Sequence, residues 1–194
     1  MLFRSVWVFA EQRGGVLQQI SLELLGKAQE LAEALGQDVS AVLLGKDVES
    51  LADTLTRHGA DHVYLVEDDC LEQYRPISYT TAIEKLISQY KPNILLMGAT
   101  HIGRDLAPRV SRRVGVGLTA DCTELSIDPE EKILLQTRPA FGGNIMATIA
   151  NRYSRPQMAT VRPGVMERKE QPENNGDVIR ESIFISEEIG RAHV

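Results

Sequence analysis

The chain has 194 residues, of which 43% are hydrophobic and 25% are charged, and its formal net charge is −6. This length and composition are typical of one globular domain with an appendage. The acidic balance argues against a nucleic-acid partner, since neutralising phosphates requires a basic surface. The apolar runs are too short to cross a bilayer and no signal-peptide pattern is present, so we expect no membrane insertion and a cytoplasmic location. Cys70 and Cys122 lie far apart without metal-ligand spacing, which favours reduced thiols.

Short apolar runs alternate with helical patterns over the first part of the chain. Strands are predicted at 6–10, 39–44, 63–66 and 94–99, and helices at 20–35, 51–55, 78–90 and through Leu106 and Val110. The strands are apolar throughout rather than alternating, which is typical of a parallel sheet covered by helices on both faces. The pattern therefore predicts an α/β fold.

The alternation of predicted strands and helices ends after Gly117. Strands are predicted at 118–127, 132–136, 145–150 and 157–161, with no room for helices between them. We expect these late strands to complete the sheet, some of them antiparallel. Residues 1–166 then form one domain, the charged residues 167–181 form a linker, and residues 182–194 begin a second domain. A new strand at Ser182–Ile185 with so little chain behind it suggests a truncated product.

The most informative segment is Thr137–Asn144, between two strand-like runs. Arg138 lies where the first strand ends, and the pair Gly142–Gly143 allows another backbone or ring to come close. A guanidinium offers five donors in a rigid fork, which suits carboxylates, phosphates and electron-rich heterocycles. The alternative is an ordinary turn with an exposed arginine.

Two further segments are candidates for a site. The loop Gly98–Leu106 joins a strand to a helix, where ligands gather in open α/β sheets, but its spacing is not a nucleotide motif; the alternative is a tight turn with Asp105 stabilising the helix start. The segment Gly115–Thr123 presents Asp121 and Thr123 on a polar face, or else is a solvated strand edge with Cys122 in the core. A cluster of arginines nearby suggests a partner or anion contact: Arg104, Arg109, Arg112 and Arg113.

Catalysis by this chain alone is not expected. No carboxylate or nucleophile lies at a spacing from His101 that is typical of a catalytic motif, so a catalytic role for His101 is disfavoured. The sequence also lacks a Ser/His/Asp order, a paired-carboxylate motif and zinc-ligand spacing.

Read together, five motifs resemble the N-terminal domain of the electron transfer flavoprotein alpha subunit, in order from about Val6 to Val165. They are Val6–Glu11, Gly98–Arg109, Gly117–Cys122, Thr137–Asn144 and Arg155–Gly164. The resemblance implies a Rossmann-like three-layer α/β sandwich of the adenine nucleotide alpha hydrolase-like kind. It also implies a heterodimer with a beta subunit that carries electrons between dehydrogenases, such as a flavin-dependent acyl-CoA dehydrogenase, and their acceptors.

The resemblance further implies where flavin is held. FAD in this family is bound mainly by a C-terminal domain, of which residues 182–194 would be the start, and by the beta subunit. The form of Thr137–Asn144 resembles the electron-bifurcating branch, in which NADH is a donor and the alpha N-terminal domain reaches over the beta-subunit FAD. The family's arginine near the flavin N5 edge falls on Arg138, where a cation stabilises a reduced, anionic flavin. The residues that would contact this FAD are Arg138, Pro139, Phe141, Gly142, Gly143, Asn144 and Thr100.

Two other hypotheses remain open at this stage. A free-standing nucleotide-binding module of the universal-stress-protein type shares the alternating pattern, but would be expected to carry a glycine-rich phosphate loop after a late strand. A scaffold without any ligand contact is the third hypothesis, which substitution of Arg138 would address.

Overall fold

The computed structural model describes residues 5–140 and 145–185. Its α-helices are α1 Gln19–Leu35, α2 Ala52–Arg57, α3 Pro76–Tyr90 and α4 His101–Val114. Its strands are β1 Ser5–Ala10, β2 Gln12–Arg13, β3 Val16–Leu17, β4 Asp38–Gly45, β5 His62–Glu67, β6 Ile94–Gly98, β7 Leu118–Cys122, β8 Glu124–Ile127, β9 Leu134–Pro139, β10 Met146–Ala150, β11 Gln157–Val161 and β12 Asp177–Arg180. Two single-turn 3-10 helices, at Glu49–Leu51 and Asp69–Leu71, complete the helical segments of these ranges.

A seven-stranded sheet forms the centre of the molecule, in the order β12, β5, β4, β1, β6, β11, β7. All of its neighbouring strands are parallel. Parallel strands need crossover connections, and helices supply most of these here. The predicted α/β fold with a mostly parallel sheet is therefore confirmed.

Helices cover both faces of this sheet. Successive residues of β1 point to opposite faces, so Val6 and Val8 belong to one apolar core and Trp7 and Phe9 to the other. The first core is closed by α1 and α2, and the second by α3 and α4. All four of these β1 side chains are at most 2% exposed, which explains why the strand is apolar throughout. The result is the three-layer sandwich that the resemblance implies.

The late strands differ from the prediction in their bounds and in the sheet to which they belong. Residues 118–127 are not a single strand, because β7 ends at Cys122 and β8 starts at Glu124 in a different sheet. β7 and β11 complete the central sheet as parallel strands, whereas β8, β9 and β10 form a separate antiparallel sheet. The chain turns out of the central sheet at Asp121, whose φ of 67° lies in the left-handed region. Asp121 and Thr123 are partly exposed and Cys122 is buried, as expected, but Ala120 is exposed, so it departs from the expected alternation.

The expected linker, 167–181, contains a strand. β12 pairs with β5 at the outer edge of the central sheet, and Gly176 makes the approach possible, because a Cβ there would lie 2.2 Å from the carbonyl oxygen of Ala60. No strand forms at Ser182–Ile185; instead Ile185 is buried in the core of the α3 and α4 face. The local sequence pattern indicates neither that residues 177–180 form an edge strand nor that they pair with β5. The boundary of a second domain stays a prediction.

Candidate functional site

The carboxyl ends of the central strands define the candidate site. The chain leaves β1 for β4 on one side, while β6 lies on the other side, so the connections reverse direction between β1 and β6. In open α/β sheets such a reversal creates a crevice at the carboxyl ends of the two strands. Glu11 follows β1 at this crevice, and Thr100 follows β6.

Thr100 is the N-cap of α4. Its Oγ1 accepts a hydrogen bond from the backbone N–H of Gly103 at 3.0 Å, and its hydroxyl donates to Oε2 of Glu11 at 2.5 Å. Glu11 is 1% exposed and forms an ion pair with Arg13 at 2.9 Å. The structure thus uses the hydroxyl of Thr100 inside the chain, for capping and for a buried carboxylate.

The expectation that Asp105 stabilises the helix start is corrected by this geometry. Asp105 lies on the second turn of α4, where its carboxylate accepts hydrogen bonds from the hydroxyl of Tyr74 at 2.6 Å and from Nε of Arg109 at 3.0 Å. Hydrogen bonding from Arg109 and then from Tyr74 lowers the pKa of Asp105 below its usual value. Asp105 therefore fastens α4 to the segment before α3, and Thr100 performs the capping.

Gly103 sets how closely α4 approaches β6. A Cβ at Gly103 would lie 1.8 Å from the carbonyl oxygen of Gly98, a distance that requires backbone movement. This close contact brings the first turn of α4, including Arg104, directly over the end of β6. A Cβ at Gly98 would also lie 2.8 Å from Cγ1 of Ile20, so packing accounts for both glycines of the motif.

An ion-pair network lies next to this turn. Nη2 of Arg104 lies 3.3 Å from Oδ1 of Asp121, and Nη2 of Arg162 lies 2.8 Å from Oδ2 of the same carboxylate. Nε of Arg104 also donates to the carbonyl oxygen of Ala99 at 3.0 Å. The network joins the ends of β6, β7 and β11, which explains how residues far apart in sequence come together.

Arg138 faces the same network from β9. Hydrogen bonding from Arg162 holds the pKa of Asp121 below its ordinary value, and the charges of Arg104 and Arg138 act in the same direction. Burial raises the pKa of Cys122 to about 11, and the charge of Arg138 opposes that rise. Within the part of the chain that the structure describes, Arg138 makes no ion pair of its own. We call Arg104, Arg138, Arg162 and Asp121 the arginine corner.

The structure brings together some of the predicted site residues. Arg138 and Pro139 end β9 and are partly buried, and Arg104 connects their surroundings to the turn that holds Thr100. Phe141, Gly142, Gly143 and Asn144 lie outside the described residues. Sequence reasoning missed Arg162 and the buried Glu11. Both directly follow a predicted strand and belong to motifs of the resemblance, but their contacts with Asp121 and Thr100 join segments that are distant in sequence.

An exposed apolar surface accompanies the arginine corner. On the antiparallel sheet and its flanking residues, the exposed fractions are 64% for Ile145, 53% for Met146, 37% for Ile149 and 99% for Tyr153. β10, which carries two of these side chains, pairs with β9 so that Ala147 lies opposite Arg138. Since successive strand residues point to opposite faces, Ile149 shares the face of Ala147 and Met146 lies on the other face. Exposed apolar residues concentrated in one segment often mark an interface. We call Ile145, Met146, Ile149 and Tyr153 the apolar patch.

A cavity of about 380 Å³ opens on the other side of Thr100, at the start of α1. Glu23 lines it, and the buried carboxylate of Glu23 accepts a hydrogen bond from the backbone N–H of Gly164 at 2.8 Å. A phosphate would meet negative charge here, so this cavity does not support the nucleotide-binding hypothesis. In the described ranges, no three His, Cys, Asp or Glu side chains are grouped as metal ligands would be.

Fold and site together define the class of this protein: an α/β sandwich domain whose carboxyl edge carries a cationic corner beside an apolar patch. The family model described as "Electron transfer flavoprotein domain" matches residues 6–183. The chain therefore belongs to the electron transfer flavoprotein family, and the resemblance noted from the sequence is confirmed.

Curated relatives agree with this assignment. The chain is 52% identical over 181 residues to the electron transfer flavoprotein subunit alpha of Clostridium acetobutylicum, an alignment that covers 93% of this chain and 53% of the relative. It is 51% identical over 186 residues to the protein of the same name from Thermoanaerobacterium thermosaccharolyticum, covering 95% and 56%. It is also 40% identical over 190 residues to the acryloyl-CoA reductase electron transfer subunit beta of Anaerotignum propionicum, covering 87% and 52%. The chain thus spans about half the length of these relatives. Among its described helices, none combines the length and apolarity that crossing a membrane requires.

Proposed function

We propose that this chain acts as an electron transfer flavoprotein alpha subunit, which carries electrons between dehydrogenases and acceptors in a heterodimer with a beta subunit. Its family and the names of its relatives support this role. The observation that carries the proposal is the position of Arg138. Residues 5–140 and 145–185 offer its guanidinium no ion-pair partner, and it lies one strand away from the apolar patch, so an anionic group held by a bound partner would reach it.

The residues around Arg138 fit the edge of a flavin chemically. FAD, when bound, supplies the ring that accepts and releases electrons. The guanidinium of Arg138 would donate hydrogen bonds to the polar edge of that ring, and its charge would favour the negative charge that the ring gains on reduction. Pro139, Phe141, Gly142, Gly143 and Asn144 would line the same edge. Thr100 would contribute its backbone and methyl group, since its hydroxyl is engaged by Gly103 and Glu11.

FAD would be held mainly by the beta subunit and by a C-terminal domain that starts near residue 182. The electron-bifurcating branch, with NADH as donor, is our proposal for the subgroup, on the form of Thr137–Asn144. An acyl-CoA dehydrogenase is the proposed class of electron partner, since one relative is named as a subunit of acryloyl-CoA reductase. Two buried, free cysteines support the cytoplasm as the location.

The apolar patch would form part of the interface with the beta subunit. Burying its side chains removes apolar surface from water, which is the main favourable contribution to association. Closing the interface would also exclude water from Arg138, and a charge-assisted hydrogen bond is stronger in a dry environment. Assembly and electron transfer would therefore depend on residues of the neighbouring strands β9 and β10.

Co-expression with an electron transfer flavoprotein beta subunit tests this proposal. We expect a one-to-one complex in size-exclusion chromatography with light-scattering detection. Ile149→Asp should weaken the complex about tenfold or more, because it buries a charge in the interface. Val178→Asp is the matched control, since Val178 has a similar exposed fraction of 41% but lies on β12, at the opposite edge of the central sheet. A chain that stays monomeric beside the beta subunit would contradict the proposal, as would equal weakening by both variants.

A further inference from the structure

We propose that Asp121 is a positioning residue, which holds Arg104 and Arg162 at the carboxyl edge of the sheet and moderates the positive charge that Arg138 presents to a partner. This inference rests on the proposed function, because it assigns the partner's anionic group to the arginine corner. It goes beyond that function by naming Asp121 as a carboxylate whose negative charge offsets the positive charge of Arg138.

The backbone at Asp121 is fixed in an uncommon conformation. Its φ of 67° is a left-handed value that Gly, Asn and Asp tolerate better than other residues. Its N–H donates to Oγ1 of Thr160 at 2.9 Å, and the pairing of β7 with β11 shifts register between Ala159 and Val161. The N–H of Arg162 then donates to the carbonyl oxygen of Cys122 at 3.0 Å. Non-glycine residues in such conformations persist where the surroundings hold them, and they cluster at functional sites.

This conformation directs the carboxylate between two arginines. Each oxygen of Asp121 faces a different guanidinium, Oδ1 that of Arg104 and Oδ2 that of Arg162. Both carboxylate oxygens are therefore engaged by an arginine, and within the arginine corner one negative charge stands against three positive ones. Arg138 is the arginine of this corner to which the described residues offer no carboxylate, so the excess positive charge is available to an external anion.

The proposal gives Asp121 and Arg138 opposite effects on a flavin bound nearby. Removing Arg138 takes away positive charge and lowers the midpoint potential. Removing the charge of Asp121 leaves more positive charge near the ring and raises the potential. A purely structural role for Asp121 would not produce this reversal of sign.

Asp121→Asn is the most direct variant, since Asn tolerates the left-handed conformation and has almost the same shape. Asp121→Gly is a second variant that also accepts this φ. Thermal unfolding of both variants checks that each keeps the fold. Glu131→Gln is the matched control, because Glu131 pairs with Arg152 at 2.7 Å and belongs to the β8–β9 connection rather than to the arginine corner.

Two measurements decide the proposal. In the free 194-residue chain, NMR should show slowly exchanging Nη2–H protons of Arg104 and Arg162, the groups that donate to Asp121. These protons should exchange at least several-fold faster in Asp121→Asn and be unchanged in Glu131→Gln. In the complex with the beta subunit and FAD, Asp121→Asn should raise the midpoint potential and Arg138→Ala should lower it.

Unchanged exchange of both arginines in Asp121→Asn would overturn the positioning role, whatever the flavin does. An Asp121→Asn potential that stays constant or falls, while Arg138→Ala lowers it, would overturn the electrostatic role and leave the proposed function standing. If Arg138→Ala itself has no effect, the proposed contact between Arg138 and the flavin fails, and the exchange data alone decide whether Asp121 positions the two arginines.

Discussion

At the scale of single residues, the two cysteines are the simplest to assess. Burial raises the pKa of the Cys70 thiol and of the Cys122 thiol to about 11, and their side chains are almost inaccessible. Since the thiolate is the reactive form, only about one thiol in a thousand is ionised at pH 8. Neither cysteine should act as a redox centre or metal ligand in the folded chain.

We therefore expect both thiols to resist a disulfide exchange reagent such as DTNB at pH 8 and to react fully in denaturant. Absorbance at the wavelength of the released thiolate gives the number of reacted cysteines over time. Fast reaction of either cysteine in the folded chain, at a rate near that of the unfolded chain, would show that the described burial is wrong.

At the scale of elements, the turn between β6 and α4 places the site. Gly103→Ala would force a Cβ against the carbonyl oxygen of Gly98, a clash with backbone rather than with a flexible side chain. Moving α4 outward would also weaken the cap that Thr100 provides. We expect a loss of about 3 kcal/mol in the free energy of unfolding, at the upper end of the range for overpacking.

Gly115→Ala is the control for this element. Gly115 ends α4 at a φ of 75° with open space around its Cβ position, so the substitution meets backbone strain alone, worth about 1 kcal/mol. Urea unfolding followed by circular dichroism measures both variants. Equal losses in the two variants would mean that the contact between Gly103 and Gly98 is not as close as the structure shows.

The elements also show what the sequence predicts and what it does not. Residues 6–10 predict β1 correctly, because a strand buried on both faces must be apolar throughout and this is visible locally. The break at Asp121 and the pairing of β12 with β5 depend on contacts between distant segments, and a local pattern does not contain them. At these two places, pairing between distant strands determines the structure, and local strand propensity does not.

The candidate site likewise has features that the sequence predicts and contacts that it does not. The position of Arg138 at a strand end follows from the apolar run before it, and β9 indeed ends at Pro139. The partnership of Asp121 with Arg162 spans 41 positions and exists only because β7 and β11 are neighbours. The role of Thr100 as a cap similarly required knowledge of where α4 begins. The types of residue could be predicted, but their contacts could not.

At the scale of the whole molecule, the arginine corner and the apolar patch belong to one end of the sandwich. β7 is the edge strand of the central sheet there, and the antiparallel sheet packs beside it. The chain has a net charge of −6, so the positive corner is a local departure from its overall charge. A partner that covers this end would bury apolar surface and meet the arginines in a single binding event.

The central claim is that Arg138 acts on a flavin held by the partner, and redox titration of the assembled complex tests it most directly. A contact with a charged group contributes about 1.5–3 kcal/mol. For a two-electron couple this predicts that Arg138→Ala lowers the midpoint potential by roughly 30–65 mV. Arg138→Lys should have a smaller effect, because it keeps the charge and loses the planar fork.

Arg152→Ala is the control for this titration, since Arg152 is an exposed arginine that pairs with Glu131 outside the arginine corner. The account predicts a lower potential in Arg138→Ala and an unchanged potential in Arg152→Ala, with both complexes intact. Unchanged midpoint potentials in an intact Arg138→Ala complex would contradict it, and would leave Arg138 as an interface residue without contact to the flavin.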